Sequence, residues 1–290
     1  HRFGRFDRCS FCHWLCFEEG WLWQGWQQDQ ERALVLEGLF AGSIEDAATR
    51  ELSLDLKSLE LLAESATPAL DAISFLAKAD HIKVLAEVKR ASPSRGDLST
   101  IANPAELAAT YQHAGASAIS VLTEERKFKG SLADLRAVRA QVSVPVLRKD
   151  FIANEYQILE ARAAGADIVL LIVAGLPQAR LIELKIFIES LGMTAFVETH
   201  NADEVKFAVD IDTKLLGVNA RDLSTFETDR NLFGKLAHLI PETTIKVAES
   251  AVRTADDVRH YREAGADVAL VGEALVTGDP EQLLAEFTAI

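Results

Sequence analysis

Short apolar runs alternate with amphipathic stretches from residue 83 to the end of the chain. Eight of the runs have strand length: Val84–Lys89, Ala118–Thr123, Val144–Lys149, Ile168–Val173, Thr194–Glu198, Leu215–Asn219, Ile245–Glu249 and Val268–Val271. Each is nearly continuous in apolar residues and rich in Val, Ile or Leu, the pattern of parallel strands buried on both faces. The segments between them carry helix starts. Asn103-Pro104 and Asp279-Pro280 pair an N-cap with proline at the first helical position, where a missing N–H is harmless. Ser131 with Asp134, and Thr254 with Asp257, have capping-box spacing and put a carboxylate at the positive helix end.

A repeated tetrapeptide sets the period. Ala114-Gly115-Ala116-Ser117, Ala164-Gly165-Ala166-Asp167 and Ala264-Gly265-Ala266-Asp267 each stand where a helix ends and a strand begins, and their glycines suit a left-handed C-cap. The spacings of 50 and 100 residues correspond to about 25 residues per βα unit if two and four units intervene. Eight units make a (β/α)8 TIM barrel, whose usual size is about 250 residues. The rival doubly wound sheet loses support, because no G-x-G-x-x-G follows the first strand and no G-x-x-x-x-G-K-[ST] occurs.

The start of the chain departs from this pattern. All three cysteines (Cys9, Cys12, Cys16) and all four tryptophans fall before residue 27. The change of composition puts a boundary near Arg32, with residues 1–31 an extension outside the fold and 32–290 the barrel unit. Cys9-Ser10-Phe11-Cys12-His13 matches the C-x-x-C-H haem-attachment pattern. A covalent haem needs a folded pocket, however, and zinc sites use two separated ligand pairs rather than four ligands crowded together. No clear small-residue cleavage site follows, so a secretory signal is weak too. The expectation is a leader, or an upstream stretch translated ahead of the true start, with no metal and no cofactor bound.

Charge narrows the function. Lys and Arg number 30 against 44 Asp and Glu, a net charge of −14 that repels phosphate backbones and anionic lipid. Nucleic-acid and membrane partners are therefore not expected, and the longest apolar run, Ile168 to Leu176, is too short to span a bilayer. Three cysteines cannot build a disulfide framework, which points to a reducing, cytoplasmic setting. Against this background the strand ends are unusually charged: Glu87 and Lys89, Lys149, Glu198, Asn219 and Arg221, Glu249 and Ser250, Gly272 and Glu273. Barrel active sites lie at these ends. Buried salt bridges that merely fix the barrel are the bland alternative, but desolvated pairs stabilise little. Charged ends gathered at one mouth fit an acid–base enzyme better. Ser250 lacks the G-x-S-x-G elbow, and the seven histidines are scattered, with His200 read as a loop or helix-start residue. The loops after strands seven and eight often bind phosphate.

The residues themselves then become specific. Ala86-Glu87-Val88-Lys89-Arg90-Ala91-Ser92-Pro93-Ser94 closely resembles the signature of the indole-3-glycerol-phosphate synthase family. Matches continue in order through Ser120–Glu124, Phe128–Ser131, Pro145–Phe151, Leu170–Val173, Gly217–Leu223, Val247–Ser250 and Leu270–Glu273, so that the resemblance runs from about Val35 onward. It implies extra helices before the first strand. It also implies a carbon–carbon lyase of tryptophan biosynthesis, acting on a phosphorylated small molecule and needing no cofactor. The family converts 1-(2-carboxyphenylamino)-1-deoxyribulose 5-phosphate into indole-3-glycerol phosphate, carbon dioxide and water. By resemblance Lys149 protonates the ketone oxygen, Glu198 and Glu87 are candidate bases and Lys89 is a candidate acid. Asn219, Arg221 and Glu249 orient the substrate. Pro93, Phe128, Phe151 and Leu170, beside Ser92, form an apolar slot for the ring. Ser250, Ala251, Gly272 and Glu273 fall at the phosphate positions. There the family usually has Glu-Ser-Gly where this chain has Glu249-Ser250-Ala251, and Glu273 replaces a small polar residue of some members, leaving its backbone N–H as donor. A phosphoribosylanthranilate isomerase would instead carry a catalytic Cys near the first strand end. A barrel kept only for binding would have lost these charges. The oligomeric state is left open, a monomer included.

Overall fold

Eight parallel strands close into a barrel: β1 (Lys83–Val88), β2 (Ala118–Leu122), β3 (Val146–Lys149), β4 (Ile168–Ile172), β5 (Thr194–Thr199), β6 (Leu215–Asn219), β7 (Ile245–Glu249) and β8 (Val268–Val271). Each pairs with its neighbours in sequence, and β8 returns to β1. The computed structural model describes residues 35–93, 95–222 and 227–290. The Cys9–His13 motif and the boundary near Arg32 lie outside those residues, as do Ser94 and Leu223 of the family motifs. Helices alternate with the strands as the (β/α)8 reading requires, and a short extra helix, Glu273–Thr277, follows β8.

The near-continuous apolar runs have a simple cause. Leu85, Leu147, Phe196 and Val247 point into the cluster that fills the barrel, whereas their chain neighbours Val84, Ala86, Val146, Val197 and Ala248 pack outward under the helices. Both faces of every strand are thus in a core. The observed strands match the expected ones to within two residues. β3 begins at Val146 rather than Val144, directly after Pro145, which has no N–H for a ladder. Val173 opens a 3-10 turn, Val173–Gly175, instead of ending β4.

The tetrapeptide echo extends into the hydrogen bonds. Gly115, Gly165 and Gly265 have φ of 107°, 87° and 95° at their helix ends. Asp167 accepts from the Val146 N–H at 2.8 Å, and Asp267 accepts from the Lys246 N–H at 3.0 Å, each pinning the start of a preceding strand. Arg162 and Arg262 likewise donate to the carbonyls of Ala66 and Ala79 at 3.0 and 2.8 Å, tying the segment before β1 to the barrel.

Asn103 and Asp279 cap their helices as their prolines imply, each accepting two backbone N–H bonds. Ser131 also caps, accepting from Asp134 N–H at 3.1 Å. Asp134 does not close the reciprocal box, because its carboxylate pairs with Arg90 instead.

Before β1 the chain is helical over residues 35–51, Leu56–Ser65 and Ala72–Leu76, as the resemblance implied. The 35–51 helix lies over the C-terminal mouth: Phe40 meets Phe151 edge-on with centroids 5.6 Å apart. Among the described residues, no helix is long and apolar enough to cross a membrane.

Candidate active site

A single pocket at the C-terminal mouth is lined by every side chain singled out from the sequence. It holds Glu87, Lys89, Ser92, Pro93, Phe128, Lys149, Phe151, Leu170, Glu198, Asn219, Arg221, Glu249, Ser250, Ala251, Gly272 and Glu273, with Leu39 added from the 35–51 helix.

The charged centre comes from alternate strands. Glu87 lies on β1, Lys149 on β3, Glu198 on β5 and Glu249 on β7, the arrangement by which TIM barrels fill one interior layer. Lys149 Nζ donates to Glu198 Oε2 at 3.1 Å and to Glu249 Oε2 at 3.2 Å. Lys89 Nζ stands 2.7 Å from Glu87 Oε1. Two glycines make this layer possible. A Cβ on Gly217 would fall 2.2 Å from Glu249 Oε1, and one on Gly272 would fall 2.4 Å from Glu87 Oε1.

Burial and charge pull the groups apart. Burial works against the Lys149 ammonium, but Glu198, Glu249 and Glu87 outweigh it and hold the group protonated well above the ordinary lysine range. Burial likewise opposes the Glu198 carboxylate, yet Lys149, His200 and Asn219 keep it ionised below the usual carboxylate range. Glu249 goes the other way. Burial, followed by the neighbouring Glu198 charge, pushes its carboxyl up toward the neutral form. Among the described residues, Glu87 Oε2 and Glu249 Oε1 are buried without hydrogen-bond partners, and both residues line the pocket. Buried oxygens of that kind are open to a hydrogen-bonding group of a bound molecule.

The walls are built from loops. Glu124 accepts from the backbone N–H groups of Arg126, Lys127 and Phe128 at 3.1, 2.7 and 2.9 Å, which folds the loop after β2 so that Phe128 reaches Phe151. Asn219 Oδ1 accepts from the Arg221 N–H and from Ser250 Oγ at 3.0 and 2.8 Å, linking the ends of β6 and β7. Ser250 and Ala251 both have left-handed φ, 68° and 57°. Glu273 turns its carboxylate to Arg95, 3.1 Å away, while Gly272 opens the helix that begins at Glu273.

Three features were not read from the sequence. His200 reads as a loop or helix-start residue, and it does stand between β5 and the N-cap Asn201, but its half-buried ring lies against Glu198, with Nε2 3.3 Å from Oε1. Arg148 and Asp150, flanking Lys149, turn to the opposite face. Arg148 is fully buried and donates to Asp150 Oδ2 at 3.0 Å, Thr123 Oγ1 at 3.1 Å and Glu160 Oε2 at 3.3 Å. Ser43 of the 35–51 helix donates to Asp150 Oδ1 at 3.0 Å.

Comparison with known proteins places this geometry. The family model described as indole-3-glycerol phosphate synthase matches residues 36–287. The chain is 62% identical over 256 residues to the indole-3-glycerol phosphate synthase of Leifsonia xyli subsp. xyli, covering 88% of this chain and 98% of that one. It is 55% identical over 253 residues to the Rhodococcus opacus protein of the same name, covering 87% and 94%. Among solved structures, the N-acetylmannosamine-6-phosphate 2-epimerase of Clostridium perfringens superposes with a TM-score of 0.54. It shares 14% identity over 71% of this chain and 92% of that one, a likeness of fold alone. With the fold, the pocket and these matches in agreement, the chain belongs to the indole-3-glycerol phosphate synthase family.

Proposed function

We propose that the charged layer divides the family's reaction between Lys149, Glu198, Lys89 and Glu87, with the Lys149 bridge between Glu198 and Glu249 as the observation that carries the reading. The reaction is ring closure of 1-(2-carboxyphenylamino)-1-deoxyribulose 5-phosphate with decarboxylation and dehydration. As the aromatic carbon bonds to the ketone carbon, the ketone oxygen gains charge and takes a proton from Lys149. The carboxylate then leaves as carbon dioxide and returns its electron pair to the ring system. Pro93, Phe128, Phe151 and Leu170 support this step by offering an apolar slot in which the carboxylate is poorly solvated.

Dehydration removes a ring proton and a hydroxyl. Glu198 takes the proton. In the resting site it is a weak base, because Lys149 holds it ionised. Once Lys149 has given its proton away, that restraint is gone and the carboxylate becomes more basic when it is needed. The captured proton has 3.1 Å to travel back to Lys149, which resets both groups. Lys89, beside Glu87, protonates the departing hydroxyl and recovers its proton from solvent. Two protons in and one out balance the loss of a carboxylate as neutral carbon dioxide.

The unpartnered oxygens of Glu87 and Glu249 hydrogen-bond to the substrate, with Asn219 and Arg221 orienting the sugar chain. The phosphate sits on backbone N–H groups near Ser250, Ala251, Gly272 and Glu273, where a helix N-terminus and a left-handed turn converge. Residues 32–290 form the catalytic unit and residues 1–31 an extension outside it, a division supported by a family match that begins at residue 36. A biosynthetic role and the net charge of −14 support a cytoplasmic setting without nucleic-acid partners. Incubating the protein with the substrate, while following indole fluorescence and carbon dioxide release together, tests the reading. Equal yields of the two are expected, and absence of the indole product contradicts it.

A further inference from the structure

His200 sits outside the division of labour just described. Its ring is only 13% exposed and lies between two carboxylates, Nε2 3.3 Å from Glu198 Oε1 and Nδ1 3.2 Å from Glu204 Oε2. Glu204 is itself fixed. It is the third residue of the helix Ala202–Asp210, whose N-cap is Asn201, and it reaches back to accept the His200 N–H at 2.8 Å and the Asn201 side-chain amide at 2.6 Å. Ring orientation in a histidine is set by what its second nitrogen binds. Here Glu204 holds Nδ1, and Nε2 lies at ion-pair distance from Glu198 without a well-formed hydrogen bond to it.

We propose that His200 is a positioning residue for Glu198, holding that carboxylate in place as an anion during the interval when Lys149 has lost its proton. The idea rests on the reading of Glu198 as the base. Consider the groups facing Glu198 from each side. Lys149 comes from β3, Glu249 from β7, Asn219 from β6, and His200 with Glu204 from the segment after β5; Glu87 on β1 acts on Lys149. Once Lys149 is neutral, the imidazolium still stands against Glu198 as a cation. Burial alone would lower the His200 pKa, but its contacts with Glu198 and Glu204 outweigh burial and raise it to about 10, so the ring is charged at neutral pH. Without it, Glu198 would stand beside Glu249 with no counter-charge and would take a proton from solvent before the ring offers one.

The test is the pH profile of kcat, which reports the groups of the substrate-bound enzyme, in the full chain, for wild type and for His200→Gln, Glu204→Gln and Glu198→Gln. An opposite charge at this distance is worth about 1–3 pKa units to a carboxylate. In His200→Gln the acid limb should therefore move up by about 1 unit or more, with KM within about threefold of wild type and kcat roughly tenfold lower. Glu204→Gln keeps an acceptor for the His200 N–H but removes a charge from the ring, so it should move the limb the same way by less. A role in packing alone would lower kcat without moving the limb, and that result in His200→Gln overturns the proposal. If His200→Gln does not fold, an unmoved limb in Glu204→Gln overturns it. Glu198→Gln separates the two layers of inference. Full activity there removes Glu198 from the chemistry and takes both down, whereas an inactive Glu198→Gln beside an unmoved His200→Gln limb refutes the role of His200 only.

Discussion

Lys149 and Glu198 face each other across the barrel mouth with 3.1 Å between Nζ and Oε2, one from β3 and the other from β5. In the proposed mechanism this contact makes acid and base a single unit. Each keeps the other charged at rest, and a proton lost by one and gained by the other returns over one hydrogen bond. Glu249, on the far side of Lys149, is pushed toward its neutral form by burial and by the Glu198 charge, so the layer does not hold three full negative charges around one ammonium.

The left-handed conformation of Ala251, φ 57°, gives the departure from the family's glycine a measurable consequence. A methyl group in that conformation costs on the order of 1–2 kcal/mol. Ala251→Gly should stabilise the protein and relax the phosphate loop, lowering KM by roughly five- to thirtyfold at most and leaving kcat nearly unchanged. Paired saturation curves check this. An unchanged or raised KM in the glycine variant shows that the strain does not reach the phosphate.

Gly217 has no room to change. A Cβ there would lie 2.2 Å from Glu249 Oε1 and 2.8 Å from the Phe196 ring. Gly217→Ala should therefore lose roughly 1–3 kcal/mol of stability to overpacking. Turnover should fall about 10²-fold as Glu249 is displaced from Lys149. Thermal melts and kcat/KM measured together decide it, and wild-type values in both refute the account of this wall.

Stability should carry the mark of His200. Its folded pKa is raised to about 10 from an ordinary value near 6.5. A raised imidazole stabilises the fold fully below about pH 6.5, and that contribution is lost as the pH climbs toward 10. The melting temperature of wild type should exceed that of His200→Gln by several degrees at pH 6, and the gap should close toward pH 10. A gap that stays constant across the range contradicts a charged His200.

Among the described residues, every side chain lining the pocket lies beyond residue 38. A chain beginning at Arg32 should accordingly turn over substrate like the 290-residue chain and bind neither haem nor zinc. Loss of activity on that truncation, or stoichiometric metal or haem in the full chain, assigns the first 31 residues a function after all.

The eight strands were legible because burial on both faces leaves an almost unbroken apolar run, and the site was legible because charge interrupts those runs only at one end. His200 was missed although the same rule applied to it: Glu198 and His200 are two residues apart, as are Glu87 and Lys89, and share a side of the chain. Its polar neighbours in sequence suggested an ordinary loop. Arg148 and Asp150 pose a different problem. Period-two alternation says that they point away from Lys149, but their partner Ser43 lies 107 residues away in sequence on the 35–51 helix, and Glu160 lies on the helix that follows β3. Only folding brings those helices to the same place. The Ser131 box shows the limit from the other side, since the spacing was right but Arg90, 44 residues earlier, took the Asp134 carboxylate.

The most direct test of the central claim is the turnover of Lys149→Ala, with circular dichroism to establish that the barrel is intact. Loss of the acid at the ketone oxygen should lower kcat by about 10²-fold or more, while the apolar slot and the phosphate loop keep KM close to wild type. A folded Lys149→Ala protein with near-normal turnover contradicts the account, because neither the Lys149–Glu198 unit nor its proton return could then be part of the reaction.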